Sequence, residues 1–266
     1  MSALTDRFDQ SQAQGRATLI GYFPLGFPSL ATSLDTMQAM VEGGVDVVEI
    51  GIPYSDPVLD GPVIQQASAI ALEAGARIEQ VCEAARVVKA AGAVPLAMSY
   101  FNPLVQYGLE RFCEDFSHAG GAGVITPDLT PDAAGSWGDI ASSHGLDTVY
   151  LVAPSSTPER LALTAAASRG FVYAASVMGV TGARSSVGVQ AKELVTRTRA
   201  AGAARVCVGL GVSTQAHAAE VAEYADGVIA GSVFVKCIDP DGDDAAGIAD
   251  IRATAAALAA GVRGES

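Results

Sequence analysis

Short apolar segments and longer amphipathic segments alternate along the whole chain. Two of the apolar segments, 47–50 and 206–208, are short and almost free of polar residues, which is typical of strands buried on both faces of a parallel sheet. The pattern predicts strands at Thr18–Phe23, Asp46–Gly51, Val94–Met98, Gly123–Thr126, Thr148–Val152, Phe171–Ala174, Arg205–Val208 and Gly227–Ile229. It predicts helices between them, among others at Leu30–Glu42, Gln80–Ala91, Leu109–His118 and Pro158–Ser168.

Repeated strand–helix units predict an α/β protein with a parallel sheet covered by helices. A doubly wound sheet and a closed barrel both show this alternation. About eight units without a Pro/Ser-rich linker favour the barrel, which typically takes about 250 residues. We therefore expect residues 1–266 to form a single (β/α)8 TIM-barrel domain, preceded by a short extra N-terminal helix within the first 15 residues.

The charge of the chain narrows the possible functions. There are 16 basic and 29 acidic residues, which gives a formal charge of −13. This balance argues against nucleic-acid binding, which requires a cationic surface that displaces counterions. It also opposes long-range attraction of an anionic substrate. We therefore expect any phosphate group to be held locally, by backbone N–H groups and a helix end.

The sequence favours a protein of the cytoplasm. Its four cysteines are scattered, and we interpret them as small buried hydrophobes in a reducing compartment. The first 15 residues are polar and lack the apolar core of a signal peptide. No apolar run approaches the roughly 20 residues that a membrane helix requires, so no membrane association is expected.

A glutamate within the second predicted strand is the main candidate for chemistry. Glu49 lies between two valines and an isoleucine. Burial of a carboxyl group is costly unless it is paired or used, and it raises the pKa toward neutrality, as a general acid requires. A buried salt bridge to an arginine is the alternative. The next loop supplies Asp56 and Asp60; either one stays ionised and faces the substrate, or both only stabilise turns.

Glycine-rich loops follow the last three predicted strands, at residues 179–184, 209–213 and 230–232. Phosphate sites in TIM barrels are frequently built from the loops after strands seven and eight and a short helix. Glycine allows the backbone to come close to a phosphate, and Ser232 offers both a hydroxyl and an N–H group. Three such loops in succession indicate a phosphate site; ordinary tight turns are the alternative.

Three tyrosines lie at or near predicted strand ends: Tyr22, Tyr100 and Tyr173. The sequence is equally compatible with an aromatic substrate pocket and with core packing. No lysine lies in a predicted strand, so a Schiff-base mechanism lacks its nucleophile. The three histidines are far apart and fall in or at the ends of helices, so we expect no metal site.

Five segments together resemble the tryptophan synthase α chain family. They are Glu49–Pro62, Met98–Pro103, Gly179–Gly182, Gly209–Val212 and Gly231–Ser232. The resemblance extends in order over essentially the whole chain. The segment Glu49–Pro62 is highly specific to this family, whereas the glycine loops alone would fit several phosphate-binding barrels.

The resemblance implies a lyase that cleaves indole-3-glycerol phosphate to indole and glyceraldehyde 3-phosphate without a metal or organic cofactor. It implies that Glu49 protonates C3 of the indole ring and that Asp60 accepts a hydrogen bond from the indole N–H. The carbon–carbon bond then breaks in a retro-aldol step, with the ring as electron sink. The substrate-binding residues expected on this basis, together with the strand-end and glycine-loop positions above, are Tyr22, Tyr100, Tyr173, Thr181, Gly182, Leu210, Gly211, Gly231 and Ser232.

The resemblance also implies a partner. Members of the family work with a β chain that carries pyridoxal phosphate and receives indole through a tunnel, and an α2β2 heterotetramer is expected. The segments near Asp56 and at Thr181–Gly188 resemble the loops that close over the substrate and communicate with the β chain. The pyridoxal cofactor would belong to that partner.

Two other functions remain open at this point. The chain could be another phosphate-binding barrel, such as a sugar-phosphate isomerase or the enzyme that forms indole-glycerol phosphate, although the missing strand lysine weighs against the latter. It could also be a barrel retained chiefly to activate its partner, although the presence of Glu49 and Asp60 weighs against that.

Overall fold

The structure is a computed structural model that describes residues 2–175, 184–209 and 211–265, and only the backbone of residues 184–187. Within these residues, nine strands form one parallel sheet. The strands are β1 (Thr18–Pro24), β2 (Val47–Gly51), β3 (Val94–Met98), β4 (Gly123–Ile125), β5 (Asp147–Val149), β6 (Leu151–Val152), β7 (Val172–Ala175), β8 (Val206–Gly209) and β9 (Gly227–Ala230). Their order in the sheet is β5-β4-β3-β2-β1-β9-β8-β7-β6.

The two ends of this sheet meet at one residue. Strands β5 and β6 are successive halves of one extended run, separated only by Tyr150. The first half pairs with β4 and the second with β7. The Tyr173 N–H donates a hydrogen bond to the Tyr150 carbonyl at 3.1 Å. Because one run of chain joins both ends of the order, the sheet closes, and the TIM-barrel prediction is confirmed.

Helices connect the strands and cover the outside of the barrel. They are α1 (Ala3–Ala13), α2 (Leu30–Glu42), α3 (Pro62–Glu73), α4 (Val81–Ala91), α5 (Phe101–Tyr107), α6 (Leu109–His118), α7 (Trp137–Ser143), α8 (Pro158–Ala167), α9 (Arg184–Ala200), α10 (Gln215–Ala222), α11 (Ser232–Val235) and α12 (Asp244–Val262). Short 3-10 turns lie at Ile78–Gln80 and Pro131–Ala133. Local chemistry sets several helix starts: the Ser29 hydroxyl accepts the Thr32 N–H at the start of α2, and Thr157 does the same for α8.

The predicted element boundaries agree closely with the structure. Each end of the eight predicted strands lies within one residue of the observed end, apart from the interruption at Tyr150. The predicted helices Leu30–Glu42 and Leu109–His118 are found with the same bounds, and the other two differ by one residue at one end. Local apolar patterning therefore determines these elements almost completely.

Side chains along each strand alternate between two separate apolar cores. On β2, Val48 and Ile50 pack in the larger core between the strands and the helices. Val47 instead packs in a second core inside the barrel. This inner core contains Leu4, Phe8, Ile20, Val47, Val94, Leu96, Ala122, Ile125, Val149, Phe171, Cys207 and Ile229. Because the side-chain period of a strand is two, the Glu49 side chain faces the barrel interior, like that of Val47.

The extra N-terminal helix closes the bottom of the barrel. Leu4 and Phe8 of α1 belong to the inner core, and the Phe8 ring lies 5.7 Å from the Phe171 ring, centroid to centroid. The predicted short helix before β1 is therefore confirmed. With this end covered, a site that reaches the barrel interior has to lie at the C-terminal ends of the strands.

Among the described residues, one helix is long and apolar enough by composition to cross a membrane. This helix is α12, with 19 residues and a mean hydropathy of 1.3 over its most apolar window. It packs against α2 and α10, and it buries Ile251, Ala255 and Leu258 among other residues. Asp250 and Arg252 interrupt its apolar residues, so α12 meets this criterion as an alanine-rich packed helix and not as a continuous apolar run.

Removal of the Phe8 ring should destabilise the protein. The Phe8 side chain is 3% exposed and contacts the inner core, so Phe8→Ala should leave a cavity and lower the free energy of unfolding by about 3 kcal/mol. The measurement is chemical unfolding followed by circular dichroism. Gln12→Ala, on the exposed side of the same helix, should change stability by less than about 0.5 kcal/mol. Equal effects of the two changes would contradict the plugging role of α1.

Candidate active site

A cavity of about 160 Å³ lies at the C-terminal end of the barrel. It is lined by Tyr22, Glu49, Asp60, Ile64, Met98, Tyr173, Gly209, Gly211, Ile229, Gly231 and Ser232. Six strands and three loops thus contribute to one small space, where sites of this fold are generally found. The cavity brings together both expected catalytic residues and five of the expected substrate-binding residues.

Two larger grooves, of about 480 and 340 Å³, lie at the opposite end of the barrel, before the starts of the strands. Three of the four arginines that line them are engaged in ion pairs. Arg16 binds the Asp46 carboxylate through two nitrogens, at 2.6 and 2.9 Å, and Arg205 pairs with Asp9. Stabilisation of the fold accounts for these charges. We therefore place the site in the smaller cavity.

Glu49 is fully buried in the wall of the cavity. In the sheet it is paired with Tyr22 of β1 on one side and with Leu96 of β3 on the other. Neither carboxyl oxygen has a hydrogen-bond partner among the described residues, and no salt bridge to an arginine is found there. Burial alone raises the Glu49 pKa to about 8. At neutral pH this carboxyl group is therefore mostly protonated and able to donate.

Asp60 reaches the same cavity from the loop between β2 and α3. Its N–H donates to the Pro57 carbonyl at 3.2 Å, which closes a turn. Partial burial raises the Asp60 pKa to about 6, while hydrogen bonding with the Tyr100 hydroxyl acts to lower it. Asp60 is therefore mostly ionised at neutral pH.

Asp56, the other aspartate of this loop, does not line the cavity. Its carboxylate is exposed and accepts a hydrogen bond from the Ser55 hydroxyl at 2.8 Å. The structure thus separates the two aspartates, which the composition of the loop alone does not distinguish. Asp56 has the local turn contact, and Asp60 faces the cavity.

Glycines at strand ends make room for two tyrosine rings. A Cβ atom at Gly51 would overlap the Tyr22 hydroxyl, and one at Gly209 would overlap the Tyr173 hydroxyl. Only glycine at these positions lets both rings lie flat against neighbouring strands. Burial raises the pKa of both tyrosines well above 10, so both hydroxyl groups are neutral. Tyr22 and Tyr173 therefore give the cavity aromatic walls with neutral polar tips.

Sequence analysis missed the aliphatic part of the lining. Met98 and Ile229 share the inward side of their strands with residues of the inner core, so strict two-residue alternation would have identified them. Ile64 comes from the first turn of α3. Nothing in its local sequence distinguishes it from the other apolar residues of that helix.

Tyr100 lies beside the cavity. Its side chain is buried, and its hydroxyl accepts a hydrogen bond from the Leu59 N–H at 2.8 Å. It lines a narrow adjoining crevice together with Asp60 and Tyr22. The Tyr100 hydroxyl is thus hydrogen-bonded to the loop between β2 and α3.

The glycine loops are only partly within the described residues. Gly211 has a φ of +66°, a left-handed conformation that favours glycine. Gly231 and Ser232 lie at the start of α11, at the edge of the cavity. Thr181, Gly182 and Leu210 lie outside the described residues.

The fold and this site together define a class of protein. A TIM barrel whose mouth holds one protonated and one ionised carboxyl group, with aromatic and glycine-rich walls, is an acid–base enzyme for a small molecule. Among the described residues no cluster of side chains suited to a metal ion is found.

Comparison with known proteins identifies the family. A family model described as tryptophan synthase alpha chain matches residues 8–262. The tryptophan synthase alpha chain of Acidothermus cellulolyticus is 53% identical over 263 residues, covering 99% of this chain and 98% of the relative. That of Streptomyces coelicolor is 53% identical, covering 99% and 97%. A solved structure of Mycobacterium tuberculosis tryptophan synthase has 49% identity and a TM-score of 0.91, covering 98% of each chain. The chain belongs to the tryptophan synthase α chain family.

Membership of the family establishes the reaction. The chain is a carbon–carbon lyase of tryptophan biosynthesis that cleaves indole-3-glycerol phosphate. The α chain family carries no cofactor, and pyridoxal phosphate belongs to the β chain with which its members associate. Of the functions left open by the sequence, the lyase is therefore confirmed.

Replacement of Glu49 by glutamine should stabilise the protein at neutral pH. An unfolded chain releases the Glu49 proton near its usual pKa of 4.5, whereas the folded chain holds it to about pH 8. Between these values the unfolded state binds fewer protons, so the contribution of Glu49 to stability falls as the pH rises. Glu49→Gln removes this loss and should raise the free energy of unfolding at pH 7 by about 1–3 kcal/mol.

The measurement is chemical unfolding of both proteins at pH 5 and pH 7. The advantage of Glu49→Gln should be small at pH 5 and should grow toward pH 7. An advantage that does not depend on pH would show that the buried carboxyl group is not protonated.

Proposed function

We propose that Glu49 and Asp60 perform the cleavage of indole-3-glycerol phosphate in this chain, Glu49 as the proton donor and Asp60 as the ionised partner of the indole nitrogen. One observation carries the proposal. The two carboxyl groups line the same cavity, and their pKa values of about 8 and about 6 lie on either side of neutral pH. Two carboxyl groups held apart in this way are suited to separate acid and base roles.

The proposed steps follow from these protonation states. Glu49 gives its proton to C3 of the indole ring, which places a positive charge on the ring nitrogen. The ionised Asp60 carboxylate accepts a hydrogen bond from the indole N–H and stabilises that charge. Glu49, now ionised, takes the proton of the glycerol hydroxyl next to the ring. The carbon–carbon bond then breaks, its electrons return to the ring, and indole and glyceraldehyde 3-phosphate are released.

The walls of the cavity suit the two ends of such a substrate. We assign the indole ring to the aromatic and aliphatic part, with Tyr22, Tyr173 and Leu210, and with Tyr100 at its edge. We assign the phosphate to the glycine loops, with Thr181, Gly182, Gly211, Gly231 and Ser232. The first N–H groups of any helix lack intrahelical partners, and Ser232 begins α11. In a chain of charge −13, such local donors are the available means of holding a phosphate.

We further propose that one domain, residues 1–266, joins two β chains and a second α chain in a cytoplasmic α2β2 heterotetramer. The loop after β2 exposes two apolar side chains beside the cavity, with 79% of Val58 and 57% of Leu59 exposed. Exposed apolar groups next to a site are typical of a surface that another protein covers. This loop and the segment Thr181–Gly188 are our candidates for communication with the β chain.

Glu49→Gln should abolish most of the turnover while preserving substrate binding. Glutamine has the size of glutamate and can form hydrogen bonds, but it cannot deliver a proton. We expect kcat for indole release from indole-3-glycerol phosphate to fall by about 10²–10⁴. Binding of the substrate, measured by calorimetry at equilibrium, should change by less than about threefold.

The matched control for this change is Glu73→Gln, at the exposed end of α3. It alters the same chemical group outside the cavity and should leave turnover unchanged. Indole release should be measured with and without an added β chain. Turnover of Glu49→Gln comparable to that of the unmodified chain in both assays would reject the proposed role of Glu49.

The pH dependence of kcat/KM should be bell-shaped. Activity should fall as the pH drops below about 6, because Asp60 becomes protonated, and as it rises above about 8, because Glu49 loses its proton. The profile of the free chain, recorded from pH 5 to pH 9, tests both limbs. In Asp60→Asn the acid limb should lose the contribution of Asp60 and keep only that of the substrate phosphate, whose second pKa is about 6, while the basic limb stays. A profile that rises continuously through pH 8 would contradict the assignment of Glu49 as the acid.

A further inference from the structure

We infer that Tyr100 and Gln65 are positioning residues that hold the Asp60 carboxylate over the cavity. The inference deepens the proposed function, because it rests on the role of Asp60 given above. Each of the two side chains contacts the loop next to Asp60 from a different element. Neither has to touch the substrate in order to act.

Tyr100 holds the loop from the end of β3. Its hydroxyl accepts the Leu59 N–H at 2.8 Å, so the residue before Asp60 is tied to the barrel. The Tyr100 side chain is only 5% exposed, and a buried hydrogen bond of this kind is protected from competing water. The same hydroxyl lowers the pKa of the Asp60 carboxyl group by hydrogen bonding. Tyr100 therefore bonds to the backbone before Asp60 and lowers the pKa of the Asp60 carboxyl group.

Gln65 holds the loop from the other side. Its side-chain amide donates to the Asp60 carbonyl at 2.8 Å and to the Pro57 carbonyl at 3.3 Å. Gln65 lies in the first turns of α3, which packs against β1 and α11. The Leu59 N–H and the Asp60 carbonyl, before and after the Asp60 side chain, are thus bonded to side chains from outside the loop.

The position of Tyr100 is itself well determined. Its ring lies 5.4 Å from the Tyr54 ring, and the Asn102 side chain donates to the Tyr54 hydroxyl at 3.2 Å. The next residue, Phe101, begins α5, and its N–H donates to both oxygens of Asp128 at 3.0 and 3.2 Å. The Tyr100 hydroxyl is therefore held in place by contacts that reach the loop after β4.

The loop needs such support because little else orders it. Only two backbone hydrogen bonds are found within it among the described residues, from the Val58 N–H to the Asp56 carbonyl and from the Asp60 N–H to the Pro57 carbonyl. Its apolar side chains at Val58 and Leu59 are exposed rather than packed. A catalytic group that is misplaced by about 1 Å can lose about 10² in rate. Side-chain support on both sides of Asp60 supplies the missing order.

The test is Tyr100→Phe, which removes the hydroxyl and keeps the ring against Tyr54. We expect kcat/KM for indole-3-glycerol phosphate at pH 7 to fall about tenfold, the ratio that corresponds to about 1.4 kcal/mol. The acid limb of the pH profile should move to higher pH, because the Asp60 carboxylate loses a stabilising donor. A merely structural role of Tyr100 would leave that limb in place.

The other ionisable groups facing Asp60 do not obscure this measurement. They are Glu49 on β2, Tyr22 on β1 and Tyr173 on β7, and Asp128 lies near Tyr100. Burial keeps both tyrosines and Glu49 uncharged near pH 6, since the pKa of each is raised. The substrate phosphate also has a pKa of about 6, but it is the same for every variant. Movement of the acid limb between variants therefore reports on Asp60.

Tyr107→Phe is the matched control. It also removes a tyrosine hydroxyl that contacts a carboxylate, at 2.7 Å from Asp115, but this pair lies on α5 and α6, outside the cavity. We expect no change in kcat/KM or in the acid limb for the chain assayed alone. An equal effect of the two changes would overturn the inference, because loss of any such hydroxyl would then suffice.

A double-mutant cycle separates the inference from the proposed function. If Tyr100 acts through Asp60, Tyr100→Phe should lower single-turnover activity by less than about twofold once Asp60 is already asparagine. A full additional tenfold loss, or an unmoved acid limb, would overturn the inference while leaving the role of Asp60 intact. Normal activity of Asp60→Asn alone would instead reject the proposed function.

Gln65→Leu supplies a second variant at an exposed position, where a folding defect is not expected. It removes both amide donors and should lower kcat/KM by about threefold to tenfold. The acid limb should stay in place, because Gln65 bonds to backbone carbonyls and not to the carboxylate. An unchanged kcat/KM would show that Gln65 is not a positioning residue. An equal loss in the Asp60→Asn background would show the same, because the effect would then not act through Asp60.

Discussion

A carboxyl group enclosed by the barrel without a hydrogen-bonding partner is the constraint on which the site depends. Alternation along β2 directs the outward residues Val48 and Ile50 into the helix-facing core, and it leaves Glu49 inside the barrel. Closure of the sheet at Tyr150 then surrounds that side chain with strands on every side. Protonation removes the charge and so avoids the free-energy cost of burying it. Burial therefore keeps the Glu49 carboxyl group protonated at neutral pH, which allows it to act as a proton donor.

The second carboxyl group works because its environment differs. Asp60 stands on a loop at the mouth of the barrel, where burial is partial and a tyrosine hydroxyl opposes the effect of burial on its pKa. The pKa values of the two groups therefore lie apart although the groups share one cavity. Glu49 lies on a rigid strand and Asp60 on a supported loop. This difference makes Glu49 an acid and keeps Asp60 charged.

The aromatic walls impose a further constraint on the strand ends. Tyr22 and Tyr173 occupy space that a Cβ atom at Gly51 or Gly209 would fill. Glycines after strands thus have two separate uses in this fold. Some create room for side chains, and others, such as Gly211 with its left-handed backbone, shape the mouth of the barrel. The number of glycines in a loop does not distinguish these two uses, because the side chains that need the room belong to neighbouring strands.

The sequence by itself determined the order and type of the elements, the extra N-terminal helix and the buried glutamate, because these follow from the period of apolar residues and from local capping. Its resemblance to known α chains also named the reaction. Tertiary structure alone decided that Asp56 stays outside the cavity, that Ile64 lines it, and that Tyr100 bonds to the Leu59 N–H. These outcomes depend on which strand ends and loops become neighbours when the barrel closes. Residues 40 or more positions apart meet there, and no local pattern encodes that distance.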